Sequence, residues 1–293
     1  MMPYRKARCK RRVAWTLLLL AFLSAGFAIA NTLNINGNIT QGDNGTISVG
    51  DNIYYITVSG EYSAQKISDV AGPQTEFVKE VNVQGEIRGW DGSSYQYVLF
   101  GSFDYQDGFA EPILWRVLYS DHNKALLLSE YVLDTRPFDS LGPYWENSDI
   151  KNWLNNEFFL SAFTTSNQRE CLLSSAERGT VFLLHKGDYT NTAYGFSADT
   201  SVNDANRIAS GSIYAMNHNL WTSEQNYCSY YTRTETGGTS LWQVRANGTM
   251  GVARYDRDNV GIRPAVWIDL EKIQFNIGDG TREFPFQQAQ PSS

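Results

Sequence analysis

Pro112–Tyr119 (PILWRVLY) and Ala125–Ser129 (ALLLS) are two apolar runs separated by the polar turn signal Asp121–Asn123 (DHN). Uninterrupted apolar runs of this length are typical of strands that are buried on both faces. Because the connection between them is short and polar, the two strands are expected to pair as an antiparallel hairpin. We therefore expect this hairpin to lie buried in the core of the main domain.

Other short apolar runs predict further strands on both sides of the hairpin. Between two of them lies Asn247-Gly248, a dipeptide that is typical of a tight hairpin turn. The last run is expected to close the core. The predicted strands are Tyr97–Gly101, Val181–Leu184, Leu241–Val244, Gly251–Arg254 and Gly261–Ile268.

Two short helices are predicted between the strands. Ser148 is a suitable N-cap for the first helix, whose apolar residues fall on one face. Thr165 and Gln168 have the spacing of a capping box at the start of the second helix, and Cys171 is expected on its inward face. With the polar stretch 185–220, this pattern predicts an α+β fold of antiparallel strands, two short helices and a long irregular loop region.

The first thirty residues have the three features of an export signal in the right order. A basic cluster is followed by the apolar run Val13–Leu23 and by the small-residue cleavage site Ala28–Ala30 (AIA). An uncleaved membrane anchor is the alternative, because Val13–Ala30 is just long enough to span a bilayer. In both cases the chain from Asn31 onward is expected outside the cytoplasm, either extracellular or displayed on the cell surface.

The rest of the chain divides by composition into three parts. Residues 31–80 are polar and form either a small β-rich segment, indicated by the alternation at Ile53–Ser59, or a flexible spacer. Residues 81–270 hold the predicted strands and helices and form the main domain, and residues 271–293 form a polar tail. The formal net charge is -7 even though a basic cluster lies at Arg5–Arg12. The remainder is therefore acidic, which disfavours nucleic-acid binding.

Six motifs follow one another along residues 97–270: Phe100-Gly101, Pro112–Leu118 (PILWRVL), Ala125–Glu130 (ALLLSE), Trp145–Ile150 (WENSDI), Val181–Leu184 (VFLL) and Gly261–Ile268 (GIRPAVWI). In order and spacing they resemble a bacterial family, the domain-of-unknown-function family 6273. The resemblance implies a C-type-lectin-like fold, and the closing strand is similar to the last strand of formylglycine-generating-enzyme domains. Tyr231–Thr234 (YTRT) stands where the family usually has the segment W-L-R-S.

The residue types that carry most enzyme chemistry are sparse. The sequence has three histidines, His122, His185 and His218, and no G-x-S-x-G nucleophile motif. Beyond the export signal two cysteines remain, Cys171 and Cys228, which form either one disulfide or two buried thiols. The spacing of these residues matches no recognised zinc pattern. We therefore predict no catalytic residue and no zinc site.

The sequence does not decide whether the protein binds calcium as a cofactor. Asp256, Asp258 and Asn259 place oxygen ligands close together, but the Gly and the distal Glu of an EF-hand loop are missing. Solvated turn residues are the alternative interpretation of this segment. No other cofactor is expected.

Aromatic and basic side chains in polar segments give the strongest indication of a binding role. Trp90, Trp221 and Trp242 lie among Gly, Asn, Thr and Gln residues, where an aromatic ring can stack on a sugar or anchor a partner. The alternative is that they cap the core beneath the long loop. Arg233 and Arg245 lie in the same variable half of the chain and can face a ligand.

Other large side chains in apolar segments are expected to be structural. Arg116 and Arg263 lie within predicted strands, and a buried arginine needs a partner. Glu130, Asp134 or loop carbonyl groups are expected to supply it. Three tryptophans in apolar segments are expected in the core: Trp115, Trp153 and Trp267.

These observations predict an exported or cell-surface binding module for a carbohydrate or an extracellular protein, without catalytic activity. Residues 185–260 are expected to form recognition loops on the scaffold, and the membrane is contacted only through the N-terminal segment. An enzyme of the lectin-like superfamily acting on peptides or glycans and a structural or adhesive envelope protein are the alternatives. The expected ligand contacts are Trp221, Arg233, Trp242, Arg245 and Asp256.

The export signal predicts where the mature chain begins. If the signal is cleaved after Ala30, N-terminal sequencing of the protein recovered outside the cytoplasm will show a chain that starts at Asn31. A full-length chain that remains in the membrane fraction contradicts cleavage and favours the anchor.

Overall fold

The computed structural model describes residues 39–41, 46–49, 52–59, 61–66, 86–104 and 108–288, with side chains from residue 86 onward. The chain divides into two compact units, Met1–Lys79 and Glu80–Ser293. The predicted export signal at residues 1–30 lies outside the described residues. Among the residues that are described, no helix combines the length and the apolar character needed to cross a bilayer.

In the first unit the described strands pair consecutively in one antiparallel sheet. The alternating segment Ile53–Ser59 falls within the third strand, which pairs with a strand on each side. The strands are β1 (Ile39–Gln41), β2 (Thr46–Val49), β3 (Asn52–Ser59) and β4 (Glu61–Lys66).

In the second unit the described residues form short helices and mostly antiparallel strands, which confirms the predicted α+β class. The strands are β5 (Tyr97–Phe103), β6 (Glu111–Ser120), β7 (Lys124–Ser129), β8 (Asp134–Thr135), β9 (Leu172–Leu173), β10 (Val181–Phe182), β11 (Tyr230–Gly237), β12 (Ser240–Val244), β13 (Met250–Arg254), β14 (Gly261–Ile262) and β15 (Ala265–Asp269). The α-helices are α1 (Asp149–Trp153), α2 (Phe159–Ala162), α3 (Ser166–Glu170) and α4 (Ile213–Asn217), and a π-helical turn, Leu154–Phe158, joins α1 to α2. Single 3₁₀ turns lie at Trp145–Asn147, Asp188–Thr190 and Thr192–Tyr194.

The predicted central hairpin is confirmed. β6 and β7 pair antiparallel, with Trp115 opposite Ser129 and Val117 opposite Leu127. They lie inside a sheet with the strand order β10-β15-β7-β6-β5, in which β9 also pairs with β15. Trp115, Val117 and Leu127 are fully buried, so this central sheet forms the middle of the core.

A second sheet, the outer sheet, has the strand order β13-β12-β11-β14-β8. β12 and β13 form the hairpin predicted around Asn247-Gly248, with Trp242 opposite Val252. Gly248 has a φ of 81°, and a Cβ added there would lie 2.2 Å from the carbonyl oxygen of Asp204. Only glycine therefore fits this position of the turn.

The strand predicted at Gly261–Ile268 is divided between the two sheets. β14 pairs with β11 and β8 in the outer sheet, whereas β15 pairs with β7 in the central sheet. Arg263 and Pro264 lie between them, and Pro264 has no N–H to continue a strand ladder. Its carbonyl accepts the N–H of Ser129 at 2.9 Å. The chain therefore crosses from one sheet to the other at this point.

Both predicted helix starts are confirmed. The Ser148 hydroxyl accepts the Lys151 N–H at the start of α1. Thr165 and Gln168 form a capping box at the start of α3. Cys171, which the sequence places within this helix, is instead its C-cap residue. Local capping signals therefore determine the residue at which these helices begin, but not the residue at which they end.

A buried group of ion pairs, the Glu130 cluster, connects the hairpin with the crossing between the sheets. Glu130 is 6% exposed, and its Oε2 accepts a hydrogen bond from Arg116 Nε at 2.9 Å. The same oxygen lies 3.9 Å from Arg263 Nη2, and Oε1 lies 3.3 Å from Arg282 Nη2. The prediction of a buried partner for Arg116 and Arg263 is therefore confirmed, and the acid is Glu130 rather than Asp134.

Buried arginines also fix the irregular stretch after β10 to the scaffold. Arg116 Nη1 donates to the Asn206 carbonyl at 2.7 Å, and Arg263 Nη1 donates to the Arg207 carbonyl at 3.4 Å. A guanidinium has five N–H donors, so one side chain can hold several backbone segments together. Fully buried Arg207 donates in this way to the carbonyls of Tyr189, Ser197, Asp199 and Gly248.

The last described residues pack against the edge of β5. The Leu99 N–H donates to the Phe286 carbonyl at 2.7 Å, and the Phe286 N–H donates to the Tyr97 carbonyl at 2.9 Å. The Phe286 side chain is 1% exposed. This part of the tail therefore satisfies the backbone groups of a strand edge that would otherwise be open.

Removal of the Glu130 carboxylate is expected to destabilise the protein strongly. Glu130→Ala leaves Arg116 and Arg263 buried without their counter-charge. Truncation of one partner of a buried ion pair costs about 3–5 kcal/mol. Chemical denaturation is expected to show a loss of that size in the free energy of unfolding.

Asp256→Ala is the matched control for this variant. Asp256 pairs with Arg254 at 2.6 Å, and the two side chains are 43% and 56% exposed, respectively. Exposed pairs contribute only about 0–1 kcal/mol. Losses of similar size in the two variants would contradict a structural role of the Glu130 cluster.

Candidate functional site

A cleft of about 370 Å³, the outer-sheet cleft, opens at the β13 edge of the outer sheet. Its volume falls in the range of small-molecule sites, which is about 300–1,000 Å³. The lining comes from β12, from β13 and from the segment that leads into β14. The apolar lining residues are Val252, Ala253 and Val260, and the polar ones are Ser240, Gln243, Arg254, Arg257 and Asn259.

Two side chains from neighbouring strands hold the backbone around the cleft. The one proton of the buried Tyr231 hydroxyl is shared between the carbonyls of Arg254 at 2.7 Å and Arg257 at 3.1 Å. The Thr135 hydroxyl is shared in the same way between the carbonyls of Asp258 at 2.9 Å and Val260 at 3.1 Å. The turn after β13 is therefore fixed to the outer sheet although it has no regular secondary structure.

The cleft contains two guanidinium groups with different partners. Arg254 binds Asp256 through two hydrogen bonds, Nε to Oδ1 at 2.9 Å and Nη2 to Oδ2 at 2.6 Å. These bonds lower the pKa of Asp256 and keep it ionised. Among the described residues, no hydrogen bond or ion pair joins the exposed Arg257 guanidinium to another group. Arg257 is therefore free to bind an anion.

The amide of Gln243 has one satisfied and one unsatisfied end. Its Nε2 donates to the Val252 carbonyl at 3.0 Å. Its Oε1 is buried and has no hydrogen-bond partner among the described residues. A buried acceptor without a partner costs about 1–3 kcal/mol.

Trp221 lies beside the cleft. Its backbone N–H donates to the carbonyl of the lining residue Asn259 at 3.3 Å. Its side chain is 55% exposed, which is high for a residue type that is mostly buried in folded proteins. An exposed indole next to hydrogen-bonding groups can stack on a ligand ring.

Two of the predicted contact residues are engaged elsewhere on the surface. Trp242 is half-buried, and Lys186 Nζ lies over its ring at 4.0 Å from the centroid. Arg233 forms an ion pair with Glu177 at 3.0 Å. Neither side chain belongs to the lining of the outer-sheet cleft.

The remaining two predicted contacts are Arg245, which is not part of the cleft lining, and Asp256, which binds a lining residue. Arg245 lies over Gly251, where an added Cβ would come within 2.3 Å of the arginine Cζ. Asp256 adjoins the cleft through its ion pair with Arg254. Of the five predicted contacts, Asp256 has a side-chain partner in the lining, whereas Trp221 and Trp242 are joined to it through the backbone, at Asn259 and Val252 respectively.

The other tryptophans are mostly structural. Trp115 and Trp153 are buried in the core as predicted, whereas Trp267 is half-buried. Trp90 is half-buried and packs against Tyr95 with 4.5 Å between ring centroids. The tryptophan that is most open to a ligand among the described residues is Trp221.

The described part of the chain contains no group of three or more His, Cys, Asp or Glu side chains that could hold a metal ion. At the calcium candidates, Asp256 is engaged by Arg254, Asp258 is exposed and Asn259 is half-buried. A calcium ion at Asp256 has to displace a bidentate, charge-assisted pair. The three exposed histidines, His122, His185 and His218, contact Glu86, Gly187 and Tyr214, respectively.

Cys171 and Cys228 are both buried free thiols, so the disulfide that the sequence leaves open is not formed in the structure. The Cys171 thiol donates to the Gln168 carbonyl at 3.2 Å, and the Cys228 thiol donates to the Ala209 carbonyl at 3.5 Å. Burial raises the pKa of Cys171 to about 11 and the pKa of Cys228 to about 12.

Sequence reasoning missed the two guanidinium groups of the cleft. Arg254 and Arg257 lie on either side of Asp256, in the segment that was considered for calcium. The alternation of charges in RYDRD is a usable signal, because opposite charges so close together favour ion pairs over a cation site. Ser240 and Gln243 carry no such signal, because their place depends on the pairing of β12 with β13.

The two thiols are expected to resist modification in the folded protein. Because both are buried and their pKa values are raised, the reactive thiolate is scarce at about pH 8. In a chain that starts at Asn31 and so lacks Cys9, a chromogenic disulfide reagent is expected to react slowly with the native protein and rapidly with two thiols in denaturant. If no thiol reacts in denaturant without a reductant, the cysteines are joined and this result contradicts the structure.

A family model described as Domain of unknown function (DUF6273) matches residues 122–177 of the chain. The matched segment extends from the turn between β6 and β7 to the residues that precede β10. No curated protein and no solved structure matches the chain. The match supports the resemblance to this family over residues 122–177, which include Glu130 but none of the lining of the outer-sheet cleft.

Proposed function

We propose that the chain is an exported or cell-surface binding module that holds a carbohydrate or an extracellular protein at the outer-sheet cleft without catalysing a reaction. The observation that carries the proposal is the cleft itself, which is lined by the Arg257 guanidinium and by amide groups and adjoins Trp221, a residue with an exposed indole whose backbone binds Asn259. Such groups act by hydrogen bonding, ion pairing and stacking, which are the interactions of a recognition site.

The scaffold beneath the cleft is proposed to have the C-type-lectin-like architecture. The order of the motifs along residues 97–270 supports this proposal, together with the family match over residues 122–177. In this arrangement the central sheet and the helices provide stability, and the outer sheet with its loops presents the ligand site. The fold alone does not define the ligand, so the site chemistry has to identify it.

The cleft is well suited to binding because its shape is fixed before a ligand arrives. The turn that carries Arg257 is held by the Tyr231 hydroxyl, and Val260 is held by the Thr135 hydroxyl. A preorganised site avoids part of the entropy cost of ordering side chains and loops on binding. The predicted export signal supports a location of this site outside the cytoplasm, where glycans and envelope proteins are accessible.

Binding of the purified protein to an array of glycans and peptidoglycan fragments tests the proposal. Reproducible binding is expected, with equal strength in calcium and in a chelator, because Asp256 is already paired with Arg254. Trp221→Ala is expected to weaken binding about 30-fold, since the loss of an aromatic anchor typically costs about 2 kcal/mol or more.

Phe109→Ala is the matched control, because Phe109 is also an exposed aromatic residue but lies in the connection between β5 and β6. It is expected to bind like the unmodified protein. Full binding by Trp221→Ala contradicts the proposed site. Absence of binding to every glycan and fragment contradicts carbohydrate recognition and favours a protein partner or the structural envelope role.

A further inference from the structure

The charge and the hydrogen-bonding groups of the outer-sheet cleft narrow the class of ligand. We propose that the cleft binds a sugar that carries a carboxylate, with the carboxylate on Arg257 and the ring hydroxyls on the neighbouring amide and hydroxyl side chains. This inference rests on the proposed function and names the ligand class of the same site.

The lining of the cleft is cationic although the chain as a whole has a net charge of -7. Arg254 and Arg257 belong to the lining, whereas Asp256 and Asp258 do not. Asp256 forms its ion pair with Arg254 and acts on Arg257 only through its charge, so the N–H donors of Arg257 are left for a ligand. A local cation in an acidic protein directs an anionic ligand to this place.

A carboxylate fits Arg257 better than a generic negative charge does. The planar guanidinium matches the planar carboxylate through two parallel hydrogen bonds. The neighbouring pair of Arg254 with Asp256 shows this geometry in the same turn, with distances of 2.9 and 2.6 Å. Arg257 is exposed and forms no ion pair with the part of the chain that the structure describes, so binding does not first remove a partner there.

The neutral polar groups of the lining match the hydroxyls of a sugar. The amide of Asn259 and the hydroxyl of Ser240 can each donate and accept hydrogen bonds. The Gln243 amide is not counted among these groups, because its Nε2 already donates to Val252 and its Oε1 is closed to solvent. Trp221, whose backbone binds Asn259, has an exposed ring that offers an apolar face on which the C–H face of a sugar ring can stack.

A peptide that adds a strand to the outer sheet fits this edge less well. Such a peptide needs free backbone groups along β13. The Val252 carbonyl already accepts a hydrogen bond from Gln243, and the Arg254 carbonyl already accepts one from Tyr231. The Met250 N–H donates to a carbonyl of the irregular stretch at 2.8 Å. A compact ligand with several hydroxyls is therefore favoured.

Calorimetric titration with tri-galacturonic acid and with its fully methyl-esterified form tests the ligand class. The ester keeps the rings and the secondary hydroxyls but removes the negative charges. At low salt the acid is expected to bind at least about 10-fold more tightly than the ester, the factor typical of a charge-assisted hydrogen-bonded pair. The preference is expected to decrease as salt is added, because Arg257 is exposed.

Arg257→Gln is expected to abolish the preference for the acid while the affinity for the ester stays the same. Its thermal unfolding is expected to match that of the unmodified protein, because the Arg257 guanidinium has no hydrogen-bond partner among the described residues. Arg88→Gln is the matched control, since Arg88 is exposed but is not part of the cleft lining, and it is expected to keep the preference.

Each other outcome overturns the inference in a distinguishable way. If acid and ester bind equally and the binding depends on Trp221, the proposed ligand class, a sugar with a carboxylate, is wrong but the proposed function stands. The same conclusion follows if neither binds while other glycans of the array do. If a sulfated trisaccharide binds as tightly as the acid, the cleft binds anions in general. If an aspartate-rich peptide does so, the cleft binds peptides. Absence of binding to all of these probes overturns the inference and carbohydrate recognition together.

Discussion

One buried carboxylate, that of Glu130, lies within ion-pair distance of arginine side chains from three separate parts of the chain. Arg116 comes from β6, Arg263 from the crossing between the sheets and Arg282 from the segment that covers the edge of β5. A buried charge is costly unless it is paired and hydrogen-bonded, so these side chains stabilise the fold only as a group. The positions of the hairpin, the crossing and the C-terminal segment in the second unit are therefore mutually dependent.

A sequence of hydrogen bonds leads from this cluster to the candidate site. Arg263 Nη1 donates to the Tyr230 hydroxyl at 3.0 Å, and that hydroxyl donates to the Arg207 carbonyl. Arg207 Nη1 in turn donates to the carbonyl of Gly248 in the turn between β12 and β13. The hairpin that supplies one side of the outer-sheet cleft is thus fixed to the buried centre of the domain. This connection explains how a long irregular stretch and a small outer sheet can present a site of defined shape.

The features that could be predicted from the sequence have a local cause, or follow from the free-energy cost of burying a charged side chain. The capping box that begins at Thr165 is a local signal, and an arginine such as Arg116 within an apolar strand requires a buried partner wherever it comes from. The identity of that partner, Glu130, was among the expected ones. Features that depend on distant pairing were not predictable, such as the cover of Lys186 over Trp242 or the set of side chains that lines the cleft.

The central claim is that a rigid, arginine-bound scaffold presents one free guanidinium in the outer-sheet cleft. The most direct test is an NMR titration of the arginine Nε–Hε signals with tri-galacturonic acid. The signal of Arg257 is expected to shift progressively, whereas the signals of buried Arg116, Arg207 and Arg263 keep their positions. A constant Arg257 signal together with shifts of the buried arginines would contradict the claim, because the ligand would then act on the core and not on the cleft.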